Sequence, residues 1–374
     1  KPIVAVVGCG SEISREKFKA DIVLGTEDRE RLFEKVKKKL MAYGAPHALG
    51  VPAFAGMTTA VPLARDGERT RKIVKIQDGC ENFCRYCIIP YARGREKSRS
   101  MEEILDEIRE KPSSEVVLVG IHVSSWQMAD DRRKLGLLDL VEEVLEIDGV
   151  HRVRLGSLEP HDFLKDKLYG LPRLAMGSAR NDVIERIEEL CEKGLCPHFH
   201  ISLQSGCDSV LKRMGRKYTF GQFYEIVKKL QEAIPNVAIT TDVIVGFGGE
   251  SDAEFRESFE NIKKCGFAKI HIFPYSEREG TAGAEKGFIE KFGSVDKKVR
   301  KERAREVQAY ADWEHREFLE RQVGTEQEII WERNGGYTPN YVRVEAKGEF
   351  ESGDIVKLRI ESCDGDKCYG SVVK

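Results

Sequence analysis

Six apolar, β-rich runs alternate with amphipathic helical stretches, and this alternation constrains the fold more than any other feature. The runs cover 72–77, 115–123, 152–158, 198–204, 238–247 and 269–275. Helical spacing of apolar residues marks 101–110, 137–147, 183–192, 220–233 and 253–265 between most of them. Strands joined by crossovers of this length lie parallel, with right-handed connections. Six such units predict an α/β fold, either an incomplete barrel or a strongly curved open sheet. In both, chemistry gathers at the carboxyl ends of the strands.

The flanks read differently. At 374 residues the chain has room for two to three domains. It starts at Lys1 and runs straight into a strand-like segment, with strand, helix, strand and helix expected over 3–7, 14–19, 21–24 and 27–41. That start reads as the interior of a domain, so an N-terminally truncated chain is expected. Gly8-Cys9-Gly10 begins like a dinucleotide-binding loop, but Ile13 occupies the third glycine position. Residues 40–64 carry no Asp, Glu, Lys or Arg, yet Pro46, Pro52 and Pro62 break any helix there, which predicts a linker rather than a membrane span. One long charged helix is expected over 289–321, solvated and laced with i,i+4 pairs. Short alternating strands at 326–331, 341–345, 355–360 and 367–373 predict a small all-β barrel. The expected divisions are therefore 1–43, 44–70, 71–288, 289–320 and 321–374.

The sharpest local signal is GCENFCRYC, which spaces Cys80, Cys84 and Cys87 as C-x3-C-x2-C directly after the first run of the repeat. Three thiolates from one loop can converge on an iron–sulfur cubane, leaving one iron open to a ligand. A zinc knuckle with a distant fourth ligand, or three unlinked buried thiols, also satisfies the spacing. The remaining thiols, among them Cys363 and Cys368, read as small packing residues.

With its wider context, KIQDGCENFCRYCIIPYARGREKSRS at 75–100, the cysteine motif resembles the methylthiotransferase branch of the radical S-adenosylmethionine (SAM) superfamily. Matching strings follow in order: RLGSLEP at 154–160, PHFHISLQSGCDSVLKRMGRKYT at 197–219, TDVIVGF at 241–247 and HIFPYSEREGT at 271–281. GYTPNYVRVE at 336–345 is similar to the RNA-binding TRAM barrel of these enzymes, and the opening VVGCGSE to the end of their N-terminal domain. The resemblance implies an α/β chain with a partial (β/α)6 radical-SAM barrel, a truncated α/β N-terminal domain and a C-terminal all-β TRAM barrel. Cys80, Cys84 and Cys87 would then hold a [4Fe-4S] cluster that binds SAM and cleaves it to a deoxyadenosyl radical. Cys9 would be a stranded ligand of a second, sulfur-donating [4Fe-4S] cluster, doubtful in this chain because the other two cysteines of that set have no counterpart. The implied substrate is tRNA, through C2 of N6-threonylcarbamoyladenosine at position 37. Isopentenyladenosine tRNA, a ribosomal protein, and a non-catalytic tRNA- or zinc-binding role remain open. An electron donor such as a flavodoxin or ferredoxin, a cytoplasmic location and no membrane partner complete the expectation.

Within that frame, polar residues at strand ends are candidates for holding SAM: Gly120, Ser157, Glu159, Gln204, Ser205 and Asp242, with Tyr86 inside the cysteine motif. His198 and His200 share one face of a strand and suit packing or hydrogen bonding better than metal binding. The total of 61 basic against 63 acidic residues hides a local excess, since 71–100 holds eight Lys or Arg against three acids. Arg93, Arg95, Lys97 and Arg99 are therefore the candidate phosphate contacts. From Arg321 onward there are eight basic and ten acidic residues, so charge lends the final barrel no support as an RNA binder. Segments 44–64 and 169–180 match nothing in the family and read as insertions. Gly248 replaces a usual proline, an exchange expected to loosen its turn.

Overall fold

The architecture follows from strands apolar on one face and polar on the other. The computed structural model describes residues 5–7, 22–24, 70–129, 134–164, 168 and 179–373. Cys9, segment 44–64 and all but the last two residues of 169–180 lie outside them. Two compact units divide the chain: Lys1–Arg69 with Ile88–Gly94, and Thr70–Cys87 with Arg95–Lys374. In the first, β1 (Ala5–Val7) pairs in parallel with β2 (Ile22–Leu24), and Ile89–Arg93 forms a short helix.

The second unit contains β3 (Arg71–Asp78), β4 (Lys97–Ser98), β5 (Glu115–Gly120), a hairpin of β6 (Gln127–Ala129) and β7 (Lys134–Gly136), then β8 (Arg152–Leu155), β9 (His198–His200), β10 (Ala238–Val245) and β11 (Lys269–Pro274). Strands β3, β5 and β8 are parallel neighbours, with β4 antiparallel at the β3 edge; β9, β10 and β11 form a second parallel sheet. Isolated bridges at Val153–Leu195 and Leu158–Ile201 join the two sheets into one curved half-barrel. Its convex face is apolar: Val74, Ile76, Val116 and Leu118 are fully buried, each such side chain contributing about 1.5–3 kcal/mol. The concave face carries Arg71, Lys75, Arg154, His198, His200, Thr240, Asp242 and His271.

Helices cover the convex face because their ends and periodicity are both specified. Ser100, Thr219 and Ser251 each accept the backbone N–H three residues on, and Glu103, Gln222 and Glu254 return the bond. In Phe220–Ala233 the buried set is Phe220, Phe223, Ile226, Val227 and Leu230, a stripe at helical spacing.

Several expectations need correction. The helix expected over 289–321 is two: Lys286–Phe292 stops at Gly293 (φ +82°), and Asp296 caps a new start at Lys297–Glu320. Nor is the second helix only solvated, because buried Arg300 reaches Glu277 and the Tyr275 carbonyl, and buried Arg303 reaches Glu250 and Asp252. The strand expected over 198–204 ends at His200, since Gln204 takes φ +68° and makes only an isolated bridge with Val243. Gly248 takes φ +35°, a backbone closed to proline, and Glu250 accepts the nearby Gly246 N–H at 2.7 Å.

The final residues close a barrel in the order β12 (Glu326–Trp331), β13 (Gly335–Tyr337), β14 (Arg343–Ala346), β16 (Lys367–Val372), β15 (Ile355–Asp364). Strand β13 was not expected; two glycines in three residues give it little β signal. Cys363 and Cys368, expected as packing residues, form a disulfide. Their hairpin register places them directly opposite each other, and the bond length is 1.99 Å.

A buried carboxylate fastens this barrel to the foot of the half-barrel. Glu115, with no exposed surface, accepts Arg152 Nε at 2.6 Å and Arg154 Nε at 2.9 Å. Burial opposes its ionisation, but Arg154 and Arg152 outweigh that and hold the carboxyl below its usual range. Arg152 and Arg154 in turn donate to the carbonyls of Tyr337, Thr338 and Pro339. The TPN segment of the GYTPNYVRVE motif therefore faces inward as a joint. Replacing Glu115 by Gln leaves two buried guanidinium groups undercompensated, and a loss of about 3–5 kcal/mol is expected in urea unfolding.

Candidate active site

The cysteine loop leaves β3 at the carboxyl end of the sheet. Buried Gln77 shapes its start: Nε2 donates to the Gly79 carbonyl at 2.8 Å, and Oε1 accepts the His122 N–H at 2.8 Å. The loop turns through Phe83 (φ +48°) and is tied down at Arg85, whose N–H donates to Met214 and whose carbonyl accepts Gly283 N–H. Cys84 is buried, Cys80 and Cys87 are partly exposed, and none of the three forms a disulfide.

Each side of the loop meets a cation. Arg216, almost fully buried, donates to the Cys84 sulfur at 3.4 Å and grips both Glu159 oxygens, at 3.1 and 2.6 Å. It also donates to the Tyr218 hydroxyl at 2.9 Å and reaches the Tyr86 hydroxyl at 3.4 Å. Burial opposes its charge, but Glu159 overcomes this and raises its pKa. On the other side, His122 bonds Glu96 through Nδ1 at 2.7 Å and buried Asp162 through Nε2 at 2.6 Å. Burial lowers its pKa, but bonds with Asp162, Cys80 and Glu96 raise it to about 12, so it is an imidazolium at neutral pH.

This donor set fits an iron–sulfur cluster. Around a single tetrahedral zinc, sulfurs lie about 3.8 Å apart, but among the described residues Cys80, Cys84 and Cys87 do not gather with every pair within 4.8 Å. The group that does gather so closely is Cys80, Glu96 and His122. There both ring nitrogens are already occupied by carboxylates, so the imidazole offers no lone pair to a metal. Cationic donors beside cysteine sulfurs are what an anionic cluster requires.

The other candidates stand at separate positions. A Cβ on Gly120 would lie 2.9 Å from the Gln77 carbonyl, so close packing of β3 and β5 already requires this glycine. Ser157 is exposed, Gln204 is held at positive φ, buried Ser205 meets Ser258, and Asp242 lies 3.3 Å from His200 Nε2. Arg93 ends the helix Ile89–Arg93. Arg95 is 90% exposed and Lys97 is exposed, whereas Arg99 is engaged with Glu107 at 2.6 Å and the Lys75 carbonyl at 2.9 Å. Arg216, His122, Asp162 and Gln77 were missed from the sequence, although Arg216 and Gln77 stand inside the quoted motifs.

Below the rim, the concave face lines an open pocket of about 450 Å³, running from Gly156 and Ser157 to Tyr337–Arg343 of the terminal barrel. Four histidines line it: His198, His200, His271 and His315. Burial pushes His198 down to about 3, and the nearby positive charge of Arg154 adds to this.

Removing any one of Cys80, Cys84 and Cys87 should abolish cluster assembly. In anaerobic iron and sulfide reconstitution, the alanine variants are expected to lose iron and the broad absorbance near ~400 nm of a thiolate-held cluster. Zinc bound without iron in the unaltered chain would overturn the assignment.

The sequence profile of the Radical SAM superfamily matches residues 74–262. The chain is 33% identical over 389 residues to the threonylcarbamoyladenosine tRNA methylthiotransferase MtaB of Bacillus subtilis (strain 168), covering 96% of this chain and 78% of that protein. It is 31% identical to MtaB of Thermotoga maritima, covering 99% and 83%. It is also 31% identical to the tRNA-2-methylthio-N(6)-dimethylallyladenosine synthase of Desulfotalea psychrophila, again covering 99% and 83%. Together with the half-barrel and its cysteine loop, these matches show that the chain belongs to the radical SAM superfamily, in its tRNA methylthiotransferase family.

Proposed function

We propose that this chain attaches a methylthio group to C2 of N6-threonylcarbamoyladenosine at tRNA position 37. The observation that carries the reading is the cysteine loop flanked by Arg216 and His122, on a chain whose relatives include enzymes named for that nucleoside. Family membership implies a [4Fe-4S] cluster and SAM, and Cys80, Cys84 and Cys87 are the residues to hold the cluster. The chemistry these groups supply when bound is one-electron cleavage, which opens an unreactive C–H bond to attack.

The chain's own residues position and screen. Arg216 fixes the Glu159 carboxylate beside Cys84 and leaves its outer lone pairs for an ammonium or ribose hydroxyl. Gln204, Asp242, Ser157, Tyr86 and the backbone at Gly120 complete the proposed SAM seat. Arg93, Arg95 and Lys97 are proposed to meet tRNA phosphates, while Arg99 holds the strip to the helix Met101–Glu110. Further parts of the reading are Cys9 as a ligand of a second cluster and a flavodoxin or ferredoxin as electron donor. The five-stranded barrel is read as a TRAM domain, the divisions as those given above and the location as cytoplasmic. Among the described residues, no helix is long and apolar enough to cross a membrane.

Nucleoside analysis of tRNA from a strain lacking the full-length gene tests the substrate. Loss of the methylthio group from threonylcarbamoyladenosine is expected; loss from isopentenyladenosine, or unchanged tRNA with an altered ribosomal protein, would overturn the reading. For the basic strip, Arg95→Ala and Lys97→Ala should each weaken tRNA binding. Each should also reduce the slope of log K against log salt by about 1.

A further inference from the structure

The cavity between the concave face of β8–β11 and the terminal barrel has polar groups that are unevenly committed. Arg154 spends its donors on Glu115 and the carbonyls of Thr338 and Pro339. Arg343 is bound to Glu332 and Lys367 to Glu345. Among the described residues, the exposed side chain of Lys269 on the cavity wall makes no hydrogen bond or ion pair. Two residues along β11 from it stands His271, whose pKa is lowered by partial burial, with Asp242 opposing and His200 and Lys269 adding to the shift. Across the cavity the buried Nδ1 of His198 has no hydrogen-bond partner among the described residues. Two acids stand near these groups: Asp366 in the hairpin turn beside Lys367, and Asp242, which is committed to His200 Nε2 at 3.3 Å and also acts on His271.

An unpaired ammonium at Lys269, the His271 imidazole and the orphaned Nδ1 of His198 line about 450 Å³ of space, within the roughly 300–1,000 Å³ that small-molecule pockets occupy. An apolar occupant would desolvate these groups without replacing their bonds, which is unfavourable. A carboxylate with hydroxyl and ureido groups beside it would satisfy them all. We propose that this cavity seats the carboxylated N6 side chain of the target adenosine, with Lys269 as counter-ion to the carboxylate and His271 and His198 as its hydrogen-bonding neighbours. The inference rests on the threonylcarbamoyl reading and deepens it: Lys269 becomes the residue that distinguishes a carboxylated N6 group from a neutral one.

The test uses the full chain with its cluster reconstituted anaerobically and three anticodon stem-loop RNAs. At position 37 these carry threonylcarbamoyladenosine, its carboxyl methyl ester or dimethylallyladenosine, and binding is read by fluorescence anisotropy. The unaltered chain is expected to bind the acid about 10- to 100-fold more tightly than the ester, the scale of one charge-assisted contact. Lys269→Gln should shrink that ratio to about threefold or less while leaving ester binding unchanged, and Lys269→Arg should keep most of it. Lys269 is exposed, so neither variant is expected to disturb folding, and circular dichroism checks this. An unaltered chain that prefers the acid but keeps its full ratio in Lys269→Gln, or that binds acid and ester equally, overturns the carboxylate seat alone. Preference of the unaltered chain for the dimethylallyl RNA overturns the substrate reading itself.

Discussion

The polar interior of this half-barrel depends on one carboxylate. Glu115 sits where three arginines, 71, 152 and 154, point inward from neighbouring strands. Without it the concave face would repel itself and could not be closed from below. With it, Arg152 and Arg154 are held in fixed directions and accept the Tyr337–Pro339 loop as a lid of carbonyls. The same arrangement uses up the charge of Arg154, which leaves Lys269 as the cation facing the cavity without an ion pair among the described residues.

At the opposite end the logic is repeated with other residues. Arg216 and His122 are both buried cations, each neutralised by carboxylates and each in contact with a cysteine of the loop. Buried charges are tolerated only when paired, and here the pairing also orients the donors. The cysteine loop thus lies in a field set by groups that cannot rotate away, since Arg216 is held at Glu159, Tyr218 and the Ser202 carbonyl together.

How much of this the sequence disclosed depended on distance along the chain. The six strands were legible because apolar, β-rich runs alternating with amphipathic stretches are local signals. The cysteine spacing was legible for the same reason. Arg216 was not, because its partner Glu159 lies 57 residues away and nothing local about an arginine after a glycine announces an ion pair. The cavity was invisible for a stronger reason: His198 comes to the same face as Lys269 and His271 only through the pairing of β9, β10 and β11. The Cys363–Cys368 bond was hidden because it depends on the exact register of the β15–β16 hairpin. The single helix expected over 289–321 failed because an unbroken charge pattern masks the stop that Gly293 imposes.

The seam between β8 and β9 carries isolated bridges in place of a hydrogen-bonded ladder. The cysteine loop rides on one side of that seam, at the end of β3, and Lys269 and His271 ride on the other, along β11. Their spacing is therefore set by side-chain packing at residues such as Leu158, Leu195 and Ile201, all buried in one core. A volume change there would reset the gap between the cysteine loop and β11 without altering either. The distance between loop and strand is thus a property of the core.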